Sequence, residues 1–252
     1  MSLVPEYLAR IGADPPARAD LEALHHLHSR HLAAVPFENL DIHLGRPIEL
    51  STEALLDKVV RQRRGGFCYE LNGAFAYLLT ELGFRVEMLS AGVYHDGVAG
   101  PPFDHMALLV HLDEPWLADV GFGRHSTFPL RLGSRVEQQD PDGTFLLRPT
   151  EDGDIDVLRD GSPEYLLDPR PRRMADFVPT CWYQQTSPDS PFRRGPACSK
   201  PVPGGRLTLS GDRLIRTVGG ERTEEKLHSD EAILTAYREH FGFDLPRVPT
   251  GP

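Results

Sequence analysis

The sequence predicts an α+β fold, helices first and antiparallel strands after, on three observations. Apolar residues recur at helical spacing as far as Gly83. From Arg85 the period drops to two, with Val86, Met88 and Ser90 alternating against Arg85, Glu87 and Leu89. Between Leu130 and about Leu167, short apolar runs are separated by Pro141-Asp142-Gly143, Asp152-Gly153 and Asp160-Gly161, the punctuation of a small antiparallel sheet or barrel. At 252 residues the chain has room for one large domain or two to three small ones, and 40% hydrophobic with 25% charged residues is ordinary for a globular protein.

In chain order, residues 5 to 12 form a short helix with Tyr7, Leu8 and Ile11 inward, closed by Gly12 and Asp14-Pro15-Pro16. Asp20 caps a longer helix that runs to Pro36. Its His25, His26, His28 and His31 invite a metal reading, but no acidic or cysteine partner accompanies them, and no metal is expected. Pro36 to Leu40 reads as a packed loop. Ser51 caps the next helix, with Leu55, Leu56, Val59 and Val60 on one face and Arg61, Arg63 and Arg64 at its negative end. Gly65 and Gly66 are expected to stop it as C-terminal cap glycines. Leu71, Phe75, Leu78, Leu79 and Leu82 carry a further helix to Gly83. Strands then follow to Val93-Tyr94, over His105 to Leu112, and over Trp116 to Phe122, the last two joined at Asp113-Glu114-Pro115. Asp168 to Pro171 and Thr186 to Pro203 read as proline-rich and irregular. Arg206 to Val218 is a hairpin turning at Ser210-Gly211-Asp212, and a final helix, capped by Ser229 and ended by Gly242, carries Ile233, Leu234, Tyr237 and Phe241 inward.

Chemistry concentrates at the glycine turn. Cys68 falls in or beside the first turn of a helix, where free amides and the positive end of the helix dipole favour a thiolate, with Arg64 in a position to add to that field. Gly65 and Gly66 leave the sulfur open to approach. The plain alternative is a small buried hydrophobe. A nucleophilic cysteine needs a base and a group to orient that base. His105 opens one strand and Asp119 lies in the next, and an Asp within Leu117-Ala118-Asp119-Val120 requires a partner. The two side chains share a face only if the hairpin loop holds an odd number of residues or a bulge intervenes. His111 is a rival base, and Asp104 and Asp113 are rival carboxylates. Val120-Gly121-Phe122-Gly123 lacks the third glycine and following helix of a dinucleotide fingerprint; it either lets backbone approach a ligand or bends the strand.

The formal charge of -10 argues against a nucleic-acid partner and calls for a locally basic pocket around any anionic ligand. No apolar run reaches a membrane span, the first ten residues lack the pattern of a signal peptide, and three widely spaced cysteines make no disulfide framework. A cytoplasmic, reduced setting with no membrane partner is the expectation.

Five ordered motifs resemble the arylamine N-acetyltransferase family: Val35-Pro36-Phe37-Glu38-Asn39-Leu40-Asp41, Arg64 to Asn72, His105-Met106, Asp119 to Gly123, and Thr186 to Phe192, with the last helix through Tyr237 to Gly242 in addition. The resemblance covers nearly the whole chain. It implies Cys68, His105 and Asp119 as a catalytic triad in a cysteine-protease/transglutaminase-like core, with a helical domain over 1–83, a β-barrel over 84–185 and an α/β lid over 186–252. Acetyl-CoA would be the donor and a small arylamine or hydrazine the acceptor, joined by a ping-pong mechanism through a Cys68 thioester. Phe37 and Phe122 would line the acceptor pocket, with Phe67 as a third aromatic wall, and Glu38, Arg64 and Asn72 would support the site. Gly123 and the basic pair Arg193-Arg194 are the candidates for contact with CoA. Arg124-His125 stands where the family often has another small residue.

Cysteine peptidases and transglutaminases use the same chemistry, although papain-like spacing puts the histidine much further downstream. A binding protein with a degraded triad is disfavoured by the presence of all three residues. Within the family, an amide synthase that closes a macrolactam from a carrier-bound chain is the alternative. The charge of -10 opposes docking to an acidic carrier and favours small amines. Monomer and homodimer are both open.

Overall fold

The computed structural model describes residues 2–251. Helix α1 (Val4–Ile11) buries Tyr7, Leu8 and Ile11 and ends on Gly12 in the left-handed conformation that glycine adopts without strain. Helix α2 (Leu21–Ala34) begins where the Asp20 carboxylate accepts from the Ala23 amide. The expected loop after Pro36 instead contains strand β1 (Phe37–Glu38) and helix α3 (Leu40–Leu44). Elements of two and five residues are too short to show a period.

Helix α4 (Thr52–Leu56) is capped by Ser51, as expected, then widens into a π turn over Asp57–Arg61 that buries Lys58, Val59 and Val60 in succession. It does not stop on glycine: the turn ends at Gln62, and Arg63 takes the left-handed position with φ 55°. Gly65 and Gly66 meet a different demand. A Cβ on Gly65 would lie 1.9 Å from the Pro36 carbonyl oxygen, and one on Gly66 would lie 2.7 Å from the Glu70 side chain. Through that gap the Glu38 amide reaches the Gly66 carbonyl at 2.8 Å, which binds β1 to the turn. Helix α5 (Cys68–Glu81) follows, with Leu71, Phe75, Leu78 and Leu79 fully buried between the other helices and the sheet.

The main sheet comprises β2 (Arg85–His95), β3 (Val98–Ala99), β4 (His105–His111), β5 (Pro115–Ala118), β6 (Leu130–Arg131), β7 (Gln138–Asp140), β8 (Gly143–Pro149), β9 (Ile155–Arg159) and β10 (Ser162–Arg172). All pairings are antiparallel, in the order β6-β5-β4-β2-β10-β9-β8-β7, with β3 attached to β2. Its ends nearly meet: the Gln138 carboxamide accepts from the Arg131 amide at 2.7 Å and donates to the Arg131 carbonyl at 3.2 Å. The result is a nearly closed barrel filled by Leu89, Leu109, Phe145, Leu147, Val157 and Tyr165. Two strand limits differ from expectation. The strand from Trp116 ends at Ala118, because the amides of Asp119, Val120 and Gly121 bond to side chains instead of a neighbouring strand. The stretch Asp168 to Pro171 stays in β10, its prolines accommodated by a bulge between Asp168 and Pro171.

Helix α6 (Met174–Thr186) has no counterpart in the sequence reading, and Pro179 lies inside it. A second antiparallel sheet follows, ordered β1-β11-β12-β13-β14, with β11 (Ala197–Val202), β12 (Gly205–Ser210), β13 (Arg213–Val218) and β14 (Glu221–Lys226). The expected hairpin is β12–β13. Strand β11 lies in the stretch read as irregular, and β14 is charged or polar and exposed throughout, so no alternation marks it. Helix α7 (Asp230–Ala236) is capped by Ser229 and runs through a π turn to Gly242, packing Ile233, Tyr237 and Phe241 on Cys198, Leu207 and Leu209.

Candidate active site

Cys68 is the first residue of α5 and is almost fully buried. Its sulfur lies 4.0 Å from the Asp104 carbonyl oxygen. Burial pushes its thiol well above the ordinary range, a tendency that the Met106 amide partly offsets. The helix-start field anticipated from sequence is thus opposed by desolvation. Arg64 does not add to that field in the expected way. Its guanidinium is engaged by Glu38 at 2.7 Å and Asp41 at 3.2 Å.

His105 and Asp119 meet by the hairpin geometry. His111 pairs with Pro115, which leaves Leu112, Asp113 and Glu114 as a loop of odd length. His105 Nε2 lies 2.7 Å from Asp119 Oδ2. A carboxylate can only accept, so Nε2 carries the hydrogen, and in the neutral ring Nδ1 is the nitrogen with the lone pair. The Asp119 carboxyl is buried, which would raise its pKa, yet His105 beside it holds it well below the usual carboxylate range. Its second oxygen accepts from Asn72 at 2.9 Å and from the Gly121 amide at 2.9 Å. Asn72 also donates to the Met106 carbonyl and accepts from the Val120 amide at 3.0 Å, joining α5 to β4 and to the segment that follows β5. Gly121 has to be glycine here: a Cβ would stand 2.7 Å from Cys68 Cα and 2.6 Å from Asn72.

A cavity of about 480 Å³ opens onto Cys68 and His105, and its walls include Phe37, Asn39, Asp104, Gly121, Phe122, Gln184 and Phe192. Two of the three aromatic candidates, Phe37 and Phe122, line it. Phe67 does not: its fully buried ring is held edge-on by Tyr69 and Phe192, with centroids 5.0 and 5.2 Å away, so it supports the wall from behind. Gly123 also stands back, its φ of 93° letting the chain pass beneath the Phe37 ring. Arg193 and Arg194 sit between two lining residues, Phe192 and Gly195, with Arg194 exposed and Arg193 donating to the Thr186 carbonyl. The rival base His111 is 2.9 Å from Glu87 and takes no part in the lining. His125 is buried in the barrel, 3.3 Å from the Tyr165 hydroxyl, and burial lowers its pKa to about 4.

Several supporting residues escaped the sequence reading. His28 accepts from the Asp119 amide at 3.1 Å through Nε2 and donates to the Thr127 carbonyl at 2.9 Å through Nδ1. Both nitrogens are engaged, and burial lowers its pKa to about 4, so it is a neutral strut for Asp119. Asn39 holds the opposite wall, donating to the carbonyls of Phe192 and Gly195 at 2.8 and 2.9 Å and accepting from the Ala197 amide at 2.8 Å. The histidine cluster and the Pro-Phe-Glu-Asn loop were the available signals. Among the described residues, no group of three or more His, Cys, Asp or Glu side chains is arranged to hold a metal ion.

Beneath the start of α5 lies a second buried assembly. Lys58 contacts Asp41 and Glu70 at 2.7 Å each and Glu38 at 3.8 Å, while Arg64 contacts Glu38 and Asp41. Glu70 Oε2 also accepts from the Phe67 amide at 3.2 Å, and Glu38 from the Leu40 amide at 2.7 Å. Glu38 and Arg64 thus act by locking the glycine turn and β1 in place.

An N-acetyltransferase family model matches residues 20–249 of the chain. The chain is 36% identical to an arylamine N-acetyltransferase of Escherichia coli (strain K12), over 97% of this chain and 90% of that protein. Its structure is similar to that of the arylamine N-acetyltransferase from Salmonella typhimurium, with a TM-score of 0.90 and 33% identity over 100% of this chain and 95% of the other. It is also similar to the Mycobacterium marinum arylamine N-acetyltransferase in complex with CoA, with a TM-score of 0.85 and 32% identity over 95% and 92% of the two chains. The chain belongs to the arylamine N-acetyltransferase family and is an acyltransferase.

Proposed function

We propose that this protein moves an acetyl group from acetyl-CoA to the nitrogen of a small arylamine or hydrazine in two half-reactions on Cys68. In the first, His105 Nδ1 takes the thiol proton as the sulfur attacks the thioester of acetyl-CoA. The new S–C bond forms as the old one breaks, and CoA leaves with the proton from His105. In the second, the acceptor nitrogen attacks the Cys68 thioester, the N–C bond forms, the C–S bond breaks, and the nitrogen's proton passes through His105 to restore the thiol. Asp119 holds the imidazole in the tautomer that leaves Nδ1 basic, and stabilises the imidazolium that forms. The observation that carries the reading is the shared opening of Cys68 and His105 onto one cavity with Asp119 behind the imidazole.

A cavity of about 480 Å³ walled by Phe37, Phe122 and Phe192 has the size and aromatic character of a small-molecule slot. That favours an arylamine or hydrazine over the long carrier-bound chain of an amide synthase. Arg193 and Arg194 supply positive charge beside the cavity for the CoA phosphates on an otherwise acidic protein. The parts 1–83, 84–185 and 186–252 supply respectively the nucleophile, the His–Asp pair, and the basic edge of the cleft. The three cysteines are unpaired, which fits a reducing cytoplasm, and no helix among the described residues is long and apolar enough to cross a membrane. We assign no nucleic-acid or membrane partner and take the enzyme to act as a monomer or homodimer.

Brief exposure to acetyl-CoA and longer acyl-CoAs without acceptor, followed by mass spectrometry, tests the proposal. One acetyl group on Cys68, absent from Cys181 and Cys198 and discharged by aniline, is the expected result. Loading by long-chain carrier thioesters alone, with anilines left unmodified, gives the amide-synthase reading instead.

A further inference from the structure

Six acidic side chains are buried among the described residues: Glu38, Asp41, Glu70, Asp104, Asp119 and Asp156. Five face a basic side chain, namely Lys58, Arg64, His105 or Arg148. Asp104 forms no ion pair with any of them, although only 9% of its surface is exposed. One of its carboxylate oxygens accepts from Gln184 Nε2 at 2.6 Å, and the other takes a long bond from the Val93 amide at 3.4 Å. The Ser190 hydroxyl, 2.7 Å from Gln184 Oε1 and 2.8 Å from the Gln184 carbonyl oxygen, anchors that side chain. A carboxylate offers about four acceptor positions, and here two are used.

The residue stands at the sulfur. Its backbone carbonyl is the one 4.0 Å from Cys68 Sγ, and Asp104, Val93 and Gln184 all line the cavity shared by Cys68 and His105. A buried carboxylate that forms no ion pair is costly, and a ligand in the cavity that Asp104 lines can supply one. Burial accordingly pushes the Asp104 carboxyl up from its ordinary range, with the Val93 amide, His105 and His95 opposing that rise.

We propose that Asp104 is a recognition subsite for the acceptor's nitrogen, completing its hydrogen bonds with N–H groups of the bound amine and favouring hydrazines and hydrazides, which carry additional N–H donors, over simple anilines. The assignment rests on the acyl-transfer reading above. In the second half-reaction the attacking nitrogen becomes positive as its bond to the acetyl carbon forms and the C–S bond breaks. Asp104 stabilises that charge electrostatically, while the proton itself goes to His105. Gln184 and Ser190 position the carboxylate.

The test begins with Cys68 acetylated by p-nitrophenyl acetate, followed by discharge with benzhydrazide or aniline. In Asp104→Asn the ratio of the two discharge rates falls about tenfold in favour of aniline, the scale of one lost charge-assisted hydrogen bond. An unchanged ratio overturns the proposal. A second measurement needs no variant: protection of wild-type Cys68 from iodoacetamide by benzylammonium and by benzyl alcohol, at about 0.5 M salt to screen the overall negative charge. Benzylammonium protects at about tenfold lower concentration if Asp104 is the subsite; equal protection overturns it. If the wild-type protein forms no acetyl-Cys68 at all, the acyl-transfer reading fails, and the protection experiment still decides whether Asp104 recognises a cationic nitrogen.

Discussion

Two buried charge assemblies flank the start of α5, and they are completed to different degrees. On one side, Glu38, Asp41 and Glu70 are each matched to Lys58, Arg64 or both. On the other, Asp119 is matched to His105, and Asn72, the Gly121 amide and His28 fix the loop around it, but Cys68 and Asp104 line the cavity without an ion pair. The first assembly locks the turn that presents the sulfur. The second leaves acceptor capacity facing the place where substrates bind. Buried charge stabilises a fold only when its hydrogen bonds are complete, whereas an active site draws its affinity from those left incomplete.

The sharpest break in the second assembly is Asp119→Asn. The Oδ1 position keeps its bonds to Asn72 and Gly121, so an amide N–H₂ would face His105 and force the imidazole proton onto Nδ1, where the lone pair is needed. Acetylation of Cys68 should slow by on the order of 10⁴, with the urea midpoint close to wild type. A loss of rate that tracks a loss of fold would remove the distinction between the two assemblies.

The corresponding break in the first assembly is Lys58→Met, which leaves three buried carboxylates around an uncharged side chain. Unfolding free energy should fall by about 3–5 kcal/mol in denaturant titrations. An isolated surface pair would cost less than 1 kcal/mol, so a value that small would show the cluster to be solvated.

Acid tells the two apart by sign. His28 and His125 have folded pKa values of about 4, lowered by burial, so the unfolded chain binds more protons below about pH 6.5. Their contribution is present at neutral pH and is lost as pH falls from about 6.5 towards 4. Glu70 is opposite: burial, against the pull of Lys58, raises it to about 7, so its protonation favours the folded state as pH falls from about 7 to 4.5. Glu70→Gln should therefore lose more stability than wild type between pH 7 and 5, by about 2 kcal/mol in paired urea titrations. Parallel curves would place Glu70 among ordinary carboxylates.

The smallest effect belongs to the cleft edge. Replacing Arg193 and Arg194 by Ala should raise KM for acetyl-CoA severalfold and leave an acetyl donor truncated at pantetheine unaffected, because exposed charge pairs contribute about 1 kcal/mol or less. Equal effects on both donors would move the phosphate contacts elsewhere.

Local chemistry was legible in the chain itself. Asp20, Ser51 and Ser229 cap their helices as read, Gly12, Gly83 and Gly242 follow helix ends in left-handed conformations, and the change of period at Arg85 marks the first barrel strand. Cys68 at a helix start, and His105 and Asp119 on one hairpin, could be found because each depends on neighbours a few residues away or on a single register. What tertiary structure alone decided lies at long separation. His28 reaches Asp119 across 91 positions, Gln184 reaches Asp104 across 80, and Asn39 reaches Ala197 across 158. The same holds for Gly65 and Gly66, whose need for no side chain comes from Pro36 and Glu70 rather than from a helix end, and for Phe67, which other aromatics cover. Caps and periods are set by backbone geometry within a turn or two, so sequence specifies them directly. Which buried polar atom meets which partner depends on how the sheets and helices close around it, and that is fixed only when the whole chain has folded.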